Sequence, residues 1–209
     1  MLCTNFIYVN FFLYYMEIYF ATTNRGKVQS LQRDLEKYNI LIIQKPIDLI
    51  EPRSSDVQEI ARSKIQQAYN QIRKPTIVID AGFYIDDLNG FPQAFVNFSL
   101  ETIGLKGLLK LVEDKSRGCE FKACLAYMDR TLDEPKFFIT HVRGQLADSE
   151  RGSIQNHLWS KLGLIFIPEG SKKTLAEMSL DEYMNWRKIS REKNSLGQKF
   201  YNWISTRRK

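Results

Sequence analysis

The chain has 209 residues, 44% of them hydrophobic and 26% charged, a balance that suits one globular domain with a proper core. Its formal charge of +6 fits an anionic ligand or a solvated basic surface alike, and the Arg207-Arg208-Lys209 tail supplies part of it. Two histidines argue against a histidine triad or a zinc centre, and three cysteines, Cys3, Cys119 and Cys124, form neither an even disulfide framework nor a ligand pair. A reducing, cytoplasmic setting is expected. The basic residues are dispersed and no aromatic-basic platform is visible, so no nucleic-acid partner is expected.

In chain order, residues 1–15, MLCTNFIYVNFFLYY, are aromatic and uncharged. They fall short of the ~20 apolar residues that a membrane span needs and lack the basic start and cleavage site of a signal peptide. They are expected to be a dispensable extension ahead of a domain over residues 16–209, with an extra edge strand or a membrane contact as alternatives. Residues 16–21, MEIYFA, read as a strand, and residues 22–26, TTNRG, as a polar turn. Val28, Leu31, Leu35 and Tyr38 then share one stripe, which predicts a helix beginning near Lys27. Strand, turn and helix N-terminus make an anion site, because the first helical amides lack partners and the dipole favours negative charge there. The Walker pattern GxxxxGK[ST] fails at Ala21 and Val28, so any phosphate grip must be of another design. Thr22, Thr23 and Asn24 can donate hydrogen bonds and Lys27 adds a point charge, with Arg25 and Gly26 in the same turn. An ordinary strand-to-helix turn with a solvated lysine has the same local pattern.

Further on, DVQEIARSKIQQAYNQIRKP predicts a helix with Asp56 as N-cap, Glu59 three residues later and Pro75 past its end. TIVID is a short apolar run that predicts a buried strand ending in Asp80, just before Ala81-Gly82. A carboxylate at the end of a central strand is where open α/β sheets place ligand chemistry, although an aspartate before glycine is also a plain turn signal. DDLNGFPQAF reads as a loop, and an amphipathic helix is expected around Leu105 to Val112. EFKACLAYMD and KFFITHV alternate as paired strands, with Cys119 and Cys124 on opposite faces.

The order FATTNRGK, IDLIEP, the helix with Lys64, IVIDAGFYIDDLNGFPQAF, SLETIGLKGLLKLV, GLIFIPEG and TLAEMS resembles the inosine triphosphatase family of nucleoside triphosphate pyrophosphatases, over residues 16 to about 205. The resemblance implies an elongated α/β fold of two lobes with the nucleotide in the cleft between them. It also implies Mg²⁺-dependent hydrolysis of inosine, xanthosine and related triphosphates to monophosphate and pyrophosphate, and a homodimer. Residue by residue, it maps the phosphate grip onto Thr22, Asn24 and Lys27, and a phosphate-reaching helix lysine onto Lys64. It maps an acidic metal position onto Glu51, with a one-residue insertion before the next helix, and the essential metal-binding and catalytic aspartate onto Asp80, although Ala81 replaces a small polar neighbour.

The chain also departs from that pattern. Leu162, Gly163 and Leu164 stand where the family has an aromatic residue, aspartate and proline. The family's Lys-Asn-x-x-Ser-His-Arg has no intact counterpart. One register places Gly197, Gln198 and Lys199 on the final triplet after Lys193 and Asn194; a second uses Lys188 to Ser190 and puts Arg191 and Glu192 on the His and Arg. Altered base selection is therefore expected, with Arg191, Lys193 or Lys199 as replacement base-pocket groups. Cleavage of a different nucleotide and non-catalytic nucleotide binding are the alternatives.

Overall fold

The structure is a computed structural model that describes residues 16–207, the side chains of residues 193 and 194 apart. The expected extension over residues 1–15 and the side chain of Lys193 lie outside the described residues. The chain runs β1 (Met16–Ala21), α1 (Arg25–Leu35), β2 (Ile40–Lys45), α2 (Val57–Ile72), β3 (Thr76–Ile85), β4 (Pro92–Gln93), α3 (Val96–Thr102) and α4 (Gly104–Leu111). It continues through β5 (Gly118–Met128), β6 (Lys136–Leu146), β7 (Phe166–Pro168), α5 (Leu180–Asn194) and α6 (Leu196–Thr206).

Seven strands form one mixed sheet in the order β2-β1-β3-β5-β6-β7, with β4 paired to β3. β1 is parallel to β2 and to β3, while β3, β5, β6 and β7 are antiparallel in succession. β1 contacts β3 only near Tyr19 and Phe20, whose partners are Thr76 and Ile77. The rest of β3 is therefore left without a parallel neighbour.

β3 does not stop at Asp80 as the sequence suggested. It runs on to Ile85, because β5 pairs with it residue by residue from Met128 back to Cys119. Gly82 belongs to the strand for a steric reason: a Cβ there would lie 2.5 Å from the Gln93 carbonyl oxygen of β4. α1 begins at Arg25 rather than near Lys27, because the Asn24 side chain caps it by accepting from the Lys27 amide. α2, α4 and the β5–β6 pair lie close to where the periodicity placed them.

Side chains alternate across β3. Ile77 joins one core with Ile18, Phe20, Leu31, Leu125, Phe138 and Phe200, under α1 and α6. Phe83 and Ile85 join a second core with Leu105, Leu108, Leu162, Phe166 and Tyr183. Both cores lie on the same sheet face, which makes two lobes, and Ile79 and Ala81 lie on β3 between them. On the opposite face α2 packs Val57, Ala61, Ile65 and Ala68 against Val78, Cys124 and Ala126. Cys119 and Cys124 are buried free thiols in different cores, as opposite faces require, and burial pushes the Cys124 thiol up to about 12.

Candidate active site

The turn after β1 is organised by its own side chains. Thr22 Oγ accepts from the Asn24 amide at 3.1 Å, and Asn24 Oδ1 accepts from the Lys27 amide at 3.0 Å. The amides of Arg25 and Gly26, at the start of α1, have no intrahelical acceptor. Thr23, Asn24, Arg25 and Gly26 are exposed, so this helix start faces solvent. Lys27 instead turns back to the unpaired edge of β3, where Nζ donates to the Ile79 carbonyl at 3.0 Å. That carbonyl lies two residues beyond the last β1–β3 pair. The ammonium thus occupies the place that a continuing β1 would have filled.

Three charged groups meet beside it. Lys64 Nζ lies 2.7 Å from Glu51 Oε1 and 3.2 Å from Asp80 Oδ1. α2 delivers Lys64 because Asp56 caps the helix at the Gln58 amide and its apolar stripe docks on β3. Glu51 comes from an irregular segment, held one helical turn away from Lys64 by Gln67. That side chain bonds both the amide and the carbonyl of Ile50, at 2.9 and 2.7 Å. Sequence reasoning missed Gln67, whose only signal is its i+3 spacing from Lys64. Glu59, expected to support the helix start, accepts from the Ser54 hydroxyl.

The electrostatics are those of a site short of partners. Burial raises the Asp80 pKa above the usual carboxylate range, and the nearby Lys64 and Lys27 only partly oppose it. Burial likewise lowers Lys27, against the attraction of Asp80. At Lys64 burial also works against the charge, but the hydrogen bond to Glu51 and the field of Asp80 outweigh it and leave the pKa raised.

On the other face of β3 a cleft of about 640 Å³ opens between the two cores. Its floor is Ile79 and Ala81; Lys27 and Asn24 stand on one side, His157, Trp159, Tyr183 and Arg187 on the other. Trp159 is 58% exposed and is held edge-on by Phe121 at 4.5 Å. Leu162, which the resemblance sets at the family's aromatic position, is fully buried and is not among the residues that line the cleft. The aromatic groups of the cleft come instead from residues 157–159 and from α5.

The C-terminal residues weighed as base-pocket replacements are largely committed elsewhere. Lys199 Nζ donates to the Ile139 carbonyl at 2.6 Å, and Arg191 pairs with Asp34 at 3.1 Å and donates to Ser30. Gly197 packs on Asp34, and Gln198 accepts from the Tyr38 hydroxyl. Of this region Arg187 and Leu196 line the cleft.

The model of the Ham1 family matches residues 18–196. The chain belongs to the Ham1 family. A Ham1 relative from Saccharolobus solfataricus, named a dITP/XTP pyrophosphatase, is 39% identical over 162 residues, 77% of this chain and 81% of the relative. A protein of the same name from Methanopyrus kandleri is 33% identical over 191 residues, 90% of this chain and 96% of its own length. The solved structure of a HAM1 protein from Coxiella burnetii shares the fold, with a TM-score of 0.74 at 22% identity, covering 90% of this chain and 99% of that one.

Proposed function

We propose that the chain hydrolyses purine nucleoside triphosphates to the monophosphate and pyrophosphate, as the names of its Ham1 relatives imply for them. The observation that carries this reading is the convergence of Glu51 and Asp80 on one ammonium beside an open helix N-terminus. Their oxygens already meet at a single cationic point, which is what a divalent ion requires of two carboxylates before substrate phosphates complete its shell. Glu51 and Asp80 would hold Mg²⁺, which supplies charge neutralisation and polarisation at the phosphates when bound.

The triphosphate lies along the start of α1. Its charge is met by the amides of Arg25 and Gly26, the hydroxyls of Thr22 and Thr23, and the ammonium groups of Lys27 and Lys64. Lys27 touches both the cleft and the field of Asp80, so the nucleotide passes around the free edge of β3, base in the cleft and phosphates beside α2. Asp80, with its raised pKa, orients and deprotonates the water that attacks the α-phosphorus. Trp159 stacks on the base. Base selection rests on groups other than the family's, because Leu162 and Gly163 are buried and the C-terminal triplet is replaced.

The resemblance further implies a cytoplasmic homodimer. Phe95, Phe98 and Ile103, exposed in and beside α3, are the kind of surface a second copy covers. No described helix is long and apolar enough to cross a membrane.

Phosphate release over a nucleotide panel, coupled to added inorganic pyrophosphatase, tests the activity. Wild type is expected to turn over purine triphosphates. Asp80→Asn, which keeps the volume and loses the charge, is expected to lose at least about a hundredfold in kcat while melting cooperatively. Turnover by Asp80→Asn within a few-fold of wild type removes Asp80 from the chemistry. Tight nucleotide binding by wild type without turnover favours a binding protein instead.

A further inference from the structure

Cations crowd the place where α5 meets α1. Arg33, Asp34, Met184 and Arg187 line both the cleft and a second hollow of about 300 Å³, to which Lys37, Lys188 and Arg191 add their charges. Asp34 and Glu192 are the acids of that hollow among the described residues, and Asp34 is already engaged. One of its oxygens pairs with Arg191 at 3.1 Å and the other accepts from the Ser195 hydroxyl at 2.6 Å. Arg187, half-buried, pairs with no carboxylate among the described residues. Its guanidinium donates to Ser30 Oγ at 3.1 Å, and Arg191 donates to the same oxygen. Arg33 has only a backbone acceptor, the Gln29 carbonyl at 3.3 Å from its Nε. A neutral hydroxyl cannot offset two guanidinium groups, so like charges converge on one point with a single acid beside them. Burial lowers the Arg191 pKa, Asp34 opposes this, and Arg187 and Arg33 add to the lowering. The phosphate grip lies elsewhere. Ser30 and Arg33 stand four and seven residues along α1 from Gly26, about 6 and 10 Å at the helical rise.

We propose that Arg33, Arg187 and Arg191 form a second anion site, separate from the phosphate grip, for an oxyanion of the phosphate class. Such an ion brings several charged acceptors, so the forks of Arg187 and Arg33 can each engage it through paired N–H groups while Arg191 stays with Asp34. Lys37 and Lys188, both exposed, add attraction from the rim. The ion is either free in solution or a phosphoryl group of a nucleotide lying in the adjoining cleft; the recognising chemistry is the same. The inference goes beyond the proposed hydrolysis and does not rest on it, because the site is read by binding alone.

The test is calorimetry with inorganic pyrophosphate, without metal and at low salt, on Lys27→Met protein, in which the phosphate grip is weakened. Adding Arg187→Gln or Arg33→Gln should each raise the Kd at least about tenfold, the size of one charge-assisted hydrogen bond. Arg187→Lys keeps the charge and loses the fork, so it should fall between. Without pyrophosphate both Gln variants should melt cooperatively and no lower than their parent, since each relieves repulsion; with it, the parent's Tm should rise more than theirs. A Kd unchanged within twofold in both Gln variants overturns the inference, and so does a parent and wild type that bind no pyrophosphate. Repeating the titration on wild type saturated with inosine triphosphate separates the two sources. Pyrophosphate that still binds, and no longer does so in Arg187→Gln, identifies a free ion. Inosine triphosphate that displaces it, and itself binds at least about tenfold more weakly to Arg187→Gln, identifies a phosphoryl group of the nucleotide. No arm needs turnover, so the hydrolysis stands or falls separately.

Discussion

At Lys27 burial lowers the ammonium's pKa, and the Asp80 carboxylate offsets this only in part. A lowered pKa means that the folded state binds this proton less tightly than the unfolded chain does. The charge therefore costs stability at neutral pH, and the cost fades as pH rises from the depressed value toward the ordinary lysine value of ~10.4. Lys27→Met should melt no lower than wild type at pH 7, since water in the cleft can serve the Ile79 carbonyl, and any advantage should shrink as pH approaches about 10. Its kcat/KM for triphosphates should fall at least about a hundredfold. Thermal melts across pH and steady-state kinetics check both halves; a variant that melts much lower and keeps its kinetics would make Lys27 a structural residue. Glu51, Lys64 and Asp80 were legible in the sequence because their segments occur in a recognisable order, and the structure brings those three together. His157, Trp159 and Tyr183 were not. A histidine and a tryptophan in an irregular segment and a tyrosine on a helix resemble ordinary packing residues until the fold brings them to one cleft.

Among the elements, β3 is where periodicity misled. Asp80-Ala81-Gly82 reads locally as a turn, yet the strand continues because the full length of β5 supplies partners and the missing Cβ of Gly82 lets β4 approach. Pairing between strands distant in sequence is not visible in a local window. Gly82→Ala should destabilise the fold by about 1–3 kcal/mol, since the 2.5 Å approach to the Gln93 carbonyl leaves no room for a methyl group. Urea melts measure this; a change below about 0.5 kcal/mol, the scatter of neutral substitutions, would show that β4 yields without cost. α2 was read correctly from its cap and stripe, and it is the element that carries Lys64 and, through Gln67, steadies Glu51. At the start of α1 the sequence suggested donors, and Thr22 and Asn24 proved also to act as acceptors that fix the turn.

For the whole molecule, the short β1 matters more than any single residue. A parallel strand that ends early exposes β3 between two cores, and that gap gives access to both faces: the cleft on one side, the carboxylate pair on the other. Motif order made an α/β chain of two lobes legible, but where a continuous mixed sheet divides into two cores depends on which strands pair, and so needed the fold. The central claim is attack by water at the α-phosphorus of a bound purine triphosphate. Turnover of inosine triphosphate in ¹⁸O-labelled water, with products resolved by ³¹P NMR and mass spectrometry, tests it most directly. Inosine monophosphate carrying the label, with unlabelled pyrophosphate in equal amount, is the expected result. Release of orthophosphate and inosine diphosphate, or label in the pyrophosphate, would contradict it.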